Sequence, residues 1–318
     1  MRGPAARLVG VIALFVAFAA APFLLSAFHV FQLSQILVLA IALLGLNLLT
    51  GWSGQISLGH GAFFAVGAYT VGILVSHELL PYWAAVPLAG AVGFGAGLLF
   101  GLPAVRLEGI YLALATFALA VATPQILKLQ RLEAWTGGVQ GIVLDKPDAP
   151  FGLALDADQW LYLVCLLASV VVFVGAWNLV RGRSGRALVA LRDQPIAAVT
   201  MGIDTARTKS LCFAVSAGIT ALAGGLGALV AGFVSPDSFT LFLSIDLFVG
   251  VVVGGLASIL PMLFGAAFIQ IVPTVASQIS DAAPGAIYGG ILIGFMILMP
   301  RGLAGLAHRW WRRGPKGA

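Results

Sequence analysis

Polar side chains are concentrated in one short segment of this otherwise apolar chain. Residues 45–69 read GLNLLTGWSGQISLGHGAFFAVGAY, and the polar members are Asn47, Thr50, Ser53, Gln55, Ser57 and His60. Amide, hydroxyl and imidazole groups donate and accept hydrogen bonds without a fixed charge. That chemistry suits the transient solvation of a small polar solute. Gly51, Gly54 and Gly59 weaken helix geometry in the same segment.

Two interpretations of this segment are open on the residues alone. In the first, a membrane helix is broken here, and freed backbone groups and polar side chains line or support a solute path. Those side chains are Asn47, Ser53, Gln55, Ser57 and His60. In the second, the segment is a tight cytoplasmic hairpin, with Ser53 and Ser57 as ordinary helix N-caps. His60 fits either a buried neutral histidine or a titrating one.

The sequence contains no recognisable source of chemical energy. It has no GxxxxGK[ST] phosphate loop, no metal-ligand cluster and no Ser/His/Asp arrangement. Ionisable groups inside the apolar runs are limited to His60 and Asp246, whereas ion-coupled carriers usually hold several. We therefore predict a non-enzymatic passage without a cofactor of its own, either passive or driven by a partner.

A basic loop over residues 181–209 is the second segment of interest. Its six basic residues are Arg181, Arg183, Arg186, Arg192, Arg207 and Lys209. The tendency of basic residues to stay on the cytoplasmic side accounts for that charge. It does not account for the pattern Ala197-Ala198-x-x-x-Gly202, which predicts a short helix of small residues ended by a glycine cap. Such a helix can dock in a groove on another protein.

A polar stretch of chain over residues 128–159 is the longest predicted external loop. Within it, Thr136, Gly137, Gly138 and Gly141 predict a flexible turn. The stretch is too short to form an independent solute-binding domain. A plain solvated connection between two helices is the simpler interpretation.

Composition assigns these segments to a membrane protein. Of 318 residues, 60% are apolar and 9% are charged. An ordinary soluble domain has roughly 50% apolar and 25% charged residues. We therefore predict an all-α, polytopic membrane protein that forms a single domain, 1–318, and we exclude a nucleic-acid partner despite the net charge of +5. The lipid bilayer is the surrounding medium.

Ten apolar runs of about one membrane thickness follow one another along the chain. They cover approximately 8–28, 33–50, 57–76, 82–102, 109–127, 160–180, 209–232, 244–260, 262–279 and 286–300. The first exceeds the usual apolar core of a cleaved signal peptide, so we expect it to be retained. The last two runs before the C-terminal one form either two helices separated near Pro261 or one long helix kinked there.

The distribution of charge predicts an orientation. With both termini in the cytoplasm, fourteen of the seventeen Lys and Arg residues fall inside, and Lys128, Arg131 and Lys146 fall outside. Fusing the helices across Pro261 would place the C-terminal basic cluster outside, which the count disfavours. Glycine stripes, such as Gly93, Gly97 and Gly101, predict close helix contacts, either within the chain or with another subunit.

The order of several motifs resembles that of a known family. The string NLLTGWSGQISLGHGAFFAVGAY resembles the signature of permease subunits of branched-chain amino-acid ABC importers. RLEGIYLALATFALA, TGGVQGI, GRALVALRDQPIAAVTMGIDTARTK, AGGLGALVAGFVSPDSF, VVVGGLAS and PRGLAGL follow in the family's order. The chain length and the external TGG element resemble the LivM-type half, which pairs with a LivH-type half.

The resemblance implies a set of partners in the bacterial inner membrane. These are a second permease, two ATP-binding subunits that hold the ATP and magnesium, and an extracytoplasmic solute-binding protein. The ATPase would contact the loop through Arg192, Asp193, Ala197, Ala198, Gly202 and Lys209. Ile196 departs from the acidic residue usual before the two alanines, which removes any salt bridge from that position. The receptor would dock on Thr136, Gly137, Gly138, Gly141 and Asp237.

The implied solute is a branched-chain or other aliphatic amino acid. Permeases for urea, short amides or small carboxylates look similar and form the alternative within the family. A self-sufficient channel or secondary carrier is the alternative of another class, and the scarcity of membrane acids argues against ion coupling.

Overall fold

The computed structural model describes residues 18–104, 107, 109–150, 155–279, 284–299 and 302. Helix α1 covers 18–24 and is followed by α2 Ala27–Asn47, a π-helical turn Leu48–Trp52, α3 His60–Ser76, α4 Tyr82–Ala104, α5 Ile110–Leu127 and α6 Glu133–Thr136. The next elements are β1 Ile142–Val143, α7 Ala157–Arg181, α8 Arg183–Asp193, α9 Pro195–Thr200, α10 Thr205–Ala231 and β2 Phe233–Val234. The last are a 3-10 turn Pro236–Phe239, α11 Leu241–Gly254, α12 Met262–Ile279 and α13 Pro284–Leu298.

Helix α10 is the centre of the bundle. It packs against α2, α3 and α4, and most of its side chains are buried. Small residues make these contacts close. Gly67 of α3 lies against the backbone of Ala221, and Gly224 of α10 lies against the backbone of Phe64, so neither position has room for a Cβ atom. In a membrane bundle such backbone contact is a main source of helix–helix attraction.

The glycine stripes fall into two groups. On α4, Gly93 and Gly97 lie against Ala221 and Ala217 of α10, so this stripe packs within the chain. On α13, Gly285, Gly289, Gly290 and Gly294 have no atom of the described residues within 4 Å of the position of a Cβ, apart from the adjacent turns of their own helix. The α13 stripe therefore leaves a close-contact surface open.

Nine apolar helices of two length classes occur in the described part of the chain. Five are long and apolar enough to cross a membrane: Ala27–Trp52, Tyr82–Pro103, Ile110–Leu127, Ala157–Arg181 and Thr205–Ala231. Four shorter apolar helices are His60–Ser76, Leu241–Gly254, Met262–Gln278 and Gly285–Phe295. The chain is thus a multi-pass helical protein. Most of the predicted span 8–28 and the basic residues at both termini lie outside the described residues.

Two separate helices, joined by a non-helical connection, lie on either side of residues 255–261. Helix α11 ends at Gly254, and α12 begins at Met262. The intervening connection contains Gly255 with φ 110° and Ala257 with φ 56°, which no continuous helix allows. The interpretation as one long kinked helix is therefore wrong.

The one β-structure among the described residues is a two-stranded antiparallel sheet. Strand β1 pairs with β2, with Ile142 opposite Val234 and Val143 opposite Phe233. The purely helical prediction did not include it, because each strand has two residues and neither has an alternating pattern.

Candidate functional site: a helix break and the loop packed on it

The polar segment forms a break between α2 and α3. Helix α2 widens into the π turn Leu48–Trp52, and residues 53–59, the helix break, are not helical before α3 begins at His60. Gly54 has φ +72°, a conformation that favours glycine. Helix α10 packs against both α2 and α3 far more extensively than these two pack against each other. A non-helical link therefore joins α2 to α3, and α10 holds the two helices together where direct α2–α3 contacts are few.

The capping role assigned to Ser53 and Ser57 in the hairpin interpretation is wrong. The N-cap of α3 is Gly59, and no side chain caps it. Gln55 Nε2 instead donates to Ser53 Oγ at 2.6 Å, and the Gln55 amide donates to Leu49 O at 3.2 Å. Both polar side chains are buried, whereas Ile56 is 45% exposed. The break therefore turns its polar side chains inward and presents an apolar one.

Asn47 fastens the end of α2 to the connection between α11 and α12. Its Nδ2 donates to Ser258 O at 2.6 Å and contacts Met262 Sδ at 3.3 Å. Its Oδ1 accepts from the Ala257 amide at 3.0 Å. The fully buried Asn47 amide thus provides hydrogen-bond partners for two backbone groups of the α11–α12 connection. It fixes the end of α2 to that distant part of the chain.

His60 is the centre of a buried hydrogen-bond chain. Its Nδ1 lies 2.9 Å from Ser57 Oγ, and its Nε2 lies 2.7 Å from Ser216 Oγ of α10. Ser216 Oγ donates to Gly45 O at 2.6 Å, so this hydroxyl accepts from His60 Nε2–H. A neutral ring with its single proton on Nε2 fits both contacts, because Nε2–H donates to Ser216 and Nδ1 accepts from the Ser57 hydroxyl. The pattern is that of a neutral, structural histidine linking α2, α3 and α10.

Three further hydroxyls, none of them among the predicted site residues, hold the break. Thr116 Oγ1 of α5 accepts from the Leu58 amide at 3.0 Å, and Ser244 Oγ of α11 accepts from the Gly61 amide at 3.0 Å. Ser216 is the third. The available signal was weak: each is a single hydroxyl residue within an apolar run, a type that often bonds its own helix instead.

The loop 181–209 folds onto this break. Leu188 and Leu191 of α8 are buried, and Arg192 reaches back to the π turn, where its Nη1 donates to Gly51 O at 2.6 Å. A Cβ on Gly54 would lie 2.7 Å from Arg192 Cγ, so the aliphatic part of Arg192 covers Gly54. The polar segment 45–69 and the basic loop 181–209 are thus in direct contact.

Arg192 also holds the adjacent acid. Its Nε donates to Asp193 Oδ1 at 2.8 Å. This hydrogen bond and the positive charge of Arg192 hold the pKa of Asp193 below its ordinary value. The lowered pKa favours the ionised form, so the pair is charged at neutral pH and loses its favourable contribution as the pH falls through that pKa. The guanidinium points into the chain, and Asp193 remains the accessible member.

The predicted short helix and its glycine cap are both present. Helix α9 ends with Gly202 at φ +82°, the Gly202 amide donating to Val199 O at 2.9 Å and the Ile203 amide to Ala198 O at 3.1 Å. These two bonds form a Schellman motif. Ala198 is buried against α8, while Ile196 and Met201 are 82% and 83% exposed.

A groove lies between α8 and α9. Its volume is about 550 Å³, and its lining includes Val189, Asp193, Ala197 and Met201. Lys209 lies farther along, half-buried in the first turns of α10. The loop therefore presents exposed apolar side chains beside a groove with a carboxylate at its edge, as a protein-docking surface does.

The external elements of the prediction also lie together. Thr136 Oγ1 donates to Leu127 O at 2.9 Å and accepts from the Gly138 amide at 3.3 Å, so the expected flexible turn is an ordered one. Gly141 lies against the backbone of Val234, where β1 meets β2. Lys128 Nζ pairs with Asp237 Oδ1 at 2.5 Å. The TGG turn and the Ser235-Pro236-Asp237 turn thus form one continuous surface, here called the β1–β2 surface (136–143 and 233–237).

Comparison with known proteins decides the family. Residues 29–299 match the family described as "Branched-chain amino acid transport system / permease component". The chain belongs to this permease family. It is 34% identical to the high-affinity branched-chain amino acid transport system permease protein LivM of Salmonella typhimurium, over 92% of this chain and 73% of that protein. The LivM protein of Escherichia coli K12 gives the same identity and coverage.

More distant permeases are also similar. The LivH permease protein of the same transport system in Escherichia coli K12 is 21% identical, over 84% of this chain and 91% of LivH. The autoinducer 2 import system permease LsrC of an Enterobacter species is 29% identical, over 77% of this chain and 70% of LsrC. No solved structure matches the chain significantly. The chain is therefore a transport permease subunit.

Proposed function

We propose that this permease is one membrane-spanning half of an ABC importer that carries branched-chain or other aliphatic amino acids inward. The observation that carries the proposal is the contact of Arg192 with Gly51 O, because it joins a docking loop to a break in a membrane helix. A partner that moves the α8–α9 pair would pull directly on that break. The similarity to LivM supports the choice of solute.

The partners follow from this role. A LivH-type permease completes the path, and two ATP-binding subunits supply the energy, with ATP and magnesium bound there. The exposed apolar side chains and groove of the α8–α9 pair suit the ATPase contact, and Asp193, Ala197, Ala198, Gly202 and Lys209 would form or support it. The open glycine stripe of α13 suits close packing of the second permease.

A solute-binding receptor would dock on the β1–β2 surface. Thr136, Gly137, Gly138 and Gly141 shape its turn, and the exposed Asp237 supplies a carboxylate at its edge. The ordered turn gives a receptor a fixed surface to recognise, which lowers the entropy cost of docking.

The proposed function is tested by reconstituting the permease with its partner permease, ATPases and receptor in proteoliposomes. We expect ATP-dependent, receptor-dependent uptake of leucine. Uptake of urea or a small carboxylate in place of leucine would instead support the alternative substrate class within the family. Uptake of leucine without ATPases would indicate a self-sufficient carrier.

The proposed topology has ten spans in the bacterial inner membrane, with both termini and loop 181–209 in the cytoplasm and loop 128–159 outside. Single cysteines at Asp145 or Asp148 should react with an impermeant maleimide added to intact cells, and a cysteine at Asp204 should not. The native Cys165 and Cys212 are buried, so background labelling is low. The opposite preference would overturn the topology.

Gln55 is proposed to support the solute path by holding the helix break. Gln55→Leu removes the donor to Ser53 Oγ and leaves this buried hydroxyl without that bond. A lost buried hydrogen bond costs about 1–3 kcal/mol, so we expect uptake to fall about fivefold or more in an assembled complex. Normal uptake in a correctly assembled Gln55→Leu importer would remove the residue from the pathway.

His60→Gln is the companion substitution, and it separates hydrogen bonding from titration. Glutamine both donates and accepts, so it can keep one of the links to Ser57 and Ser216. We expect much of the activity to remain and the pH profile of uptake to stay unchanged. A complete loss with a changed pH profile would indicate that His60 handles a proton.

A further inference from the structure

A cavity on the other side of the bundle brings polar groups together from four elements. It has a volume of about 280 Å³ and lies between α2, α3, α10, α11 and α12, next to β2 and the 3-10 turn. Its polar lining consists of Gln35, Ser238, Asp246 and Gln270. Phe64, Leu243 and Ile269 are among the apolar residues that form the rest of the wall. An apolar cavity with a few convergent polar groups is the usual form of a small-ligand site.

The polar side chains that line this cavity have few protein partners. In the described part of the chain, the side-chain amides of Gln35 and Gln270 make no hydrogen bond. Asp246 has one, from Tyr288 Oη at 3.4 Å, and no ion pair. A carboxylate in apolar surroundings without a cation is costly, and in membrane proteins such residues mark functional sites. The cavity is therefore chemically incomplete, and what it lacks is a positive group.

We infer that this cavity binds a zwitterionic aliphatic amino acid during translocation, with Asp246 facing the ammonium group. The amides of Gln35 and Gln270 offer N–H donors to the carboxylate, and Phe64, Leu243 and Ile269 contact the aliphatic side chain. The inference rests on the proposed function and adds a solute site to it. It also separates the substrate classes, because Asp246 repels a small carboxylate, and urea has no ammonium group for it to pair with.

The cavity is mechanically linked to the helix break. Gly61, in the first turn of α3, donates to Ser244 Oγ of α11, two residues before Asp246. Phe64 lies one helical turn after His60 on the same helix. A change in the break therefore reaches the cavity wall through both α3 and α11. This connection gives the coupling loop a route to the solute.

Asp246→Asn in the reconstituted importer tests the site. Loss of a charged hydrogen-bond partner should lower the maximal rate of leucine uptake about tenfold or more, while receptor-stimulated ATP hydrolysis persists. The matched control is Tyr288→Phe, which removes the protein partner of Asp246 and keeps the charge. It should transport nearly as well as the wild type. Equal losses in both variants would mean that Asp246 only ties α11 to α13, and would overturn the inference.

A photoreactive diazirine analogue of leucine gives a direct readout of binding. In the wild-type importer we expect cross-links to peptides containing 239–246 or 264–270, and their loss in Asp246→Asn. Labelling confined to 53–60, or unchanged labelling in Asp246→Asn, would overturn the site alone. If the wild-type importer takes up no leucine at all, the proposed function fails, and the inference fails with it.

Discussion

Replacing Gly202 with leucine should abolish leucine uptake while leaving the permease inserted in the membrane. Gly202 has φ +82°, which a leucine adopts only with strain, so the Schellman end of α9 would be distorted. Apart from its chain neighbours, Gly202 has no atom of the described residues within 4 Å of the position of its Cβ, so the new side chain would project from the loop surface towards a docked ATPase. Co-purification of the ATPases should fall with uptake.

The control for Gly202→Leu is Gly175→Leu. Gly175 is exposed on α7, also has open space at the Cβ position, and has no positive φ. The same change should be tolerated there, because leucine suits both the helix and a lipid-facing surface. Gly202→Asn is the graded case, since asparagine tolerates the left-handed conformation. Normal uptake by Gly202→Leu, with the ATPases attached, would show that α9 is not the coupling element.

Replacing Arg192 with alanine should uncouple ATP hydrolysis from uptake. The substitution removes the bond to Gly51 O and uncovers Gly54, while the rest of α8 keeps its buried face of Leu188 and Leu191. We expect uptake to fall about tenfold or more, because a hydrogen bond from a charged group is worth roughly 1.5–3 kcal/mol. ATP hydrolysis should continue.

Arg192→Lys and Arg207→Ala sharpen this prediction. Lysine keeps the charge but lacks the fork that bonds Asp193 and Gly51 at once, so Arg192→Lys should also be impaired. Arg207→Ala removes one exposed charge from the same loop and should leave uptake close to normal. If Arg207→Ala and Arg192→Ala behave alike, the net charge of the loop is what matters and the specific contact is not.

Local features were predictable from the sequence because local rules determine them. Hydropathy located the described apolar helices to within about six residues, and the glycines of 45–69 located the break. The cap at Gly202 followed from the small-residue pattern before it. The capping role of Ser53 and Ser57 failed because the N-cap of α3 is Gly59, two residues after Ser57, and Gln55 and His60 bind the two hydroxyls.

Long-range contacts were not predictable from one sequence. Arg192 and Gly51 are 141 positions apart, and nothing in either segment alone indicates the other. The same holds for Gln35 and Asp246, which share a cavity only because α2 and α11 pack together. The central position of α10 depends on its small residues fitting against three neighbours at once, a property of the packed bundle.

The amount of leucine taken up per ATP hydrolysed is the most direct test of the central claim, that a loop moved by an ATPase acts on a helix break through Arg192. It is measured in one preparation of proteoliposomes for the wild-type importer and for Arg192→Ala. We predict a constant ratio in the wild type. In Arg192→Ala the ratio should fall by about tenfold or more, with hydrolysis retained. An unchanged ratio in Arg192→Ala, or uptake by the wild type without hydrolysis, would contradict the account.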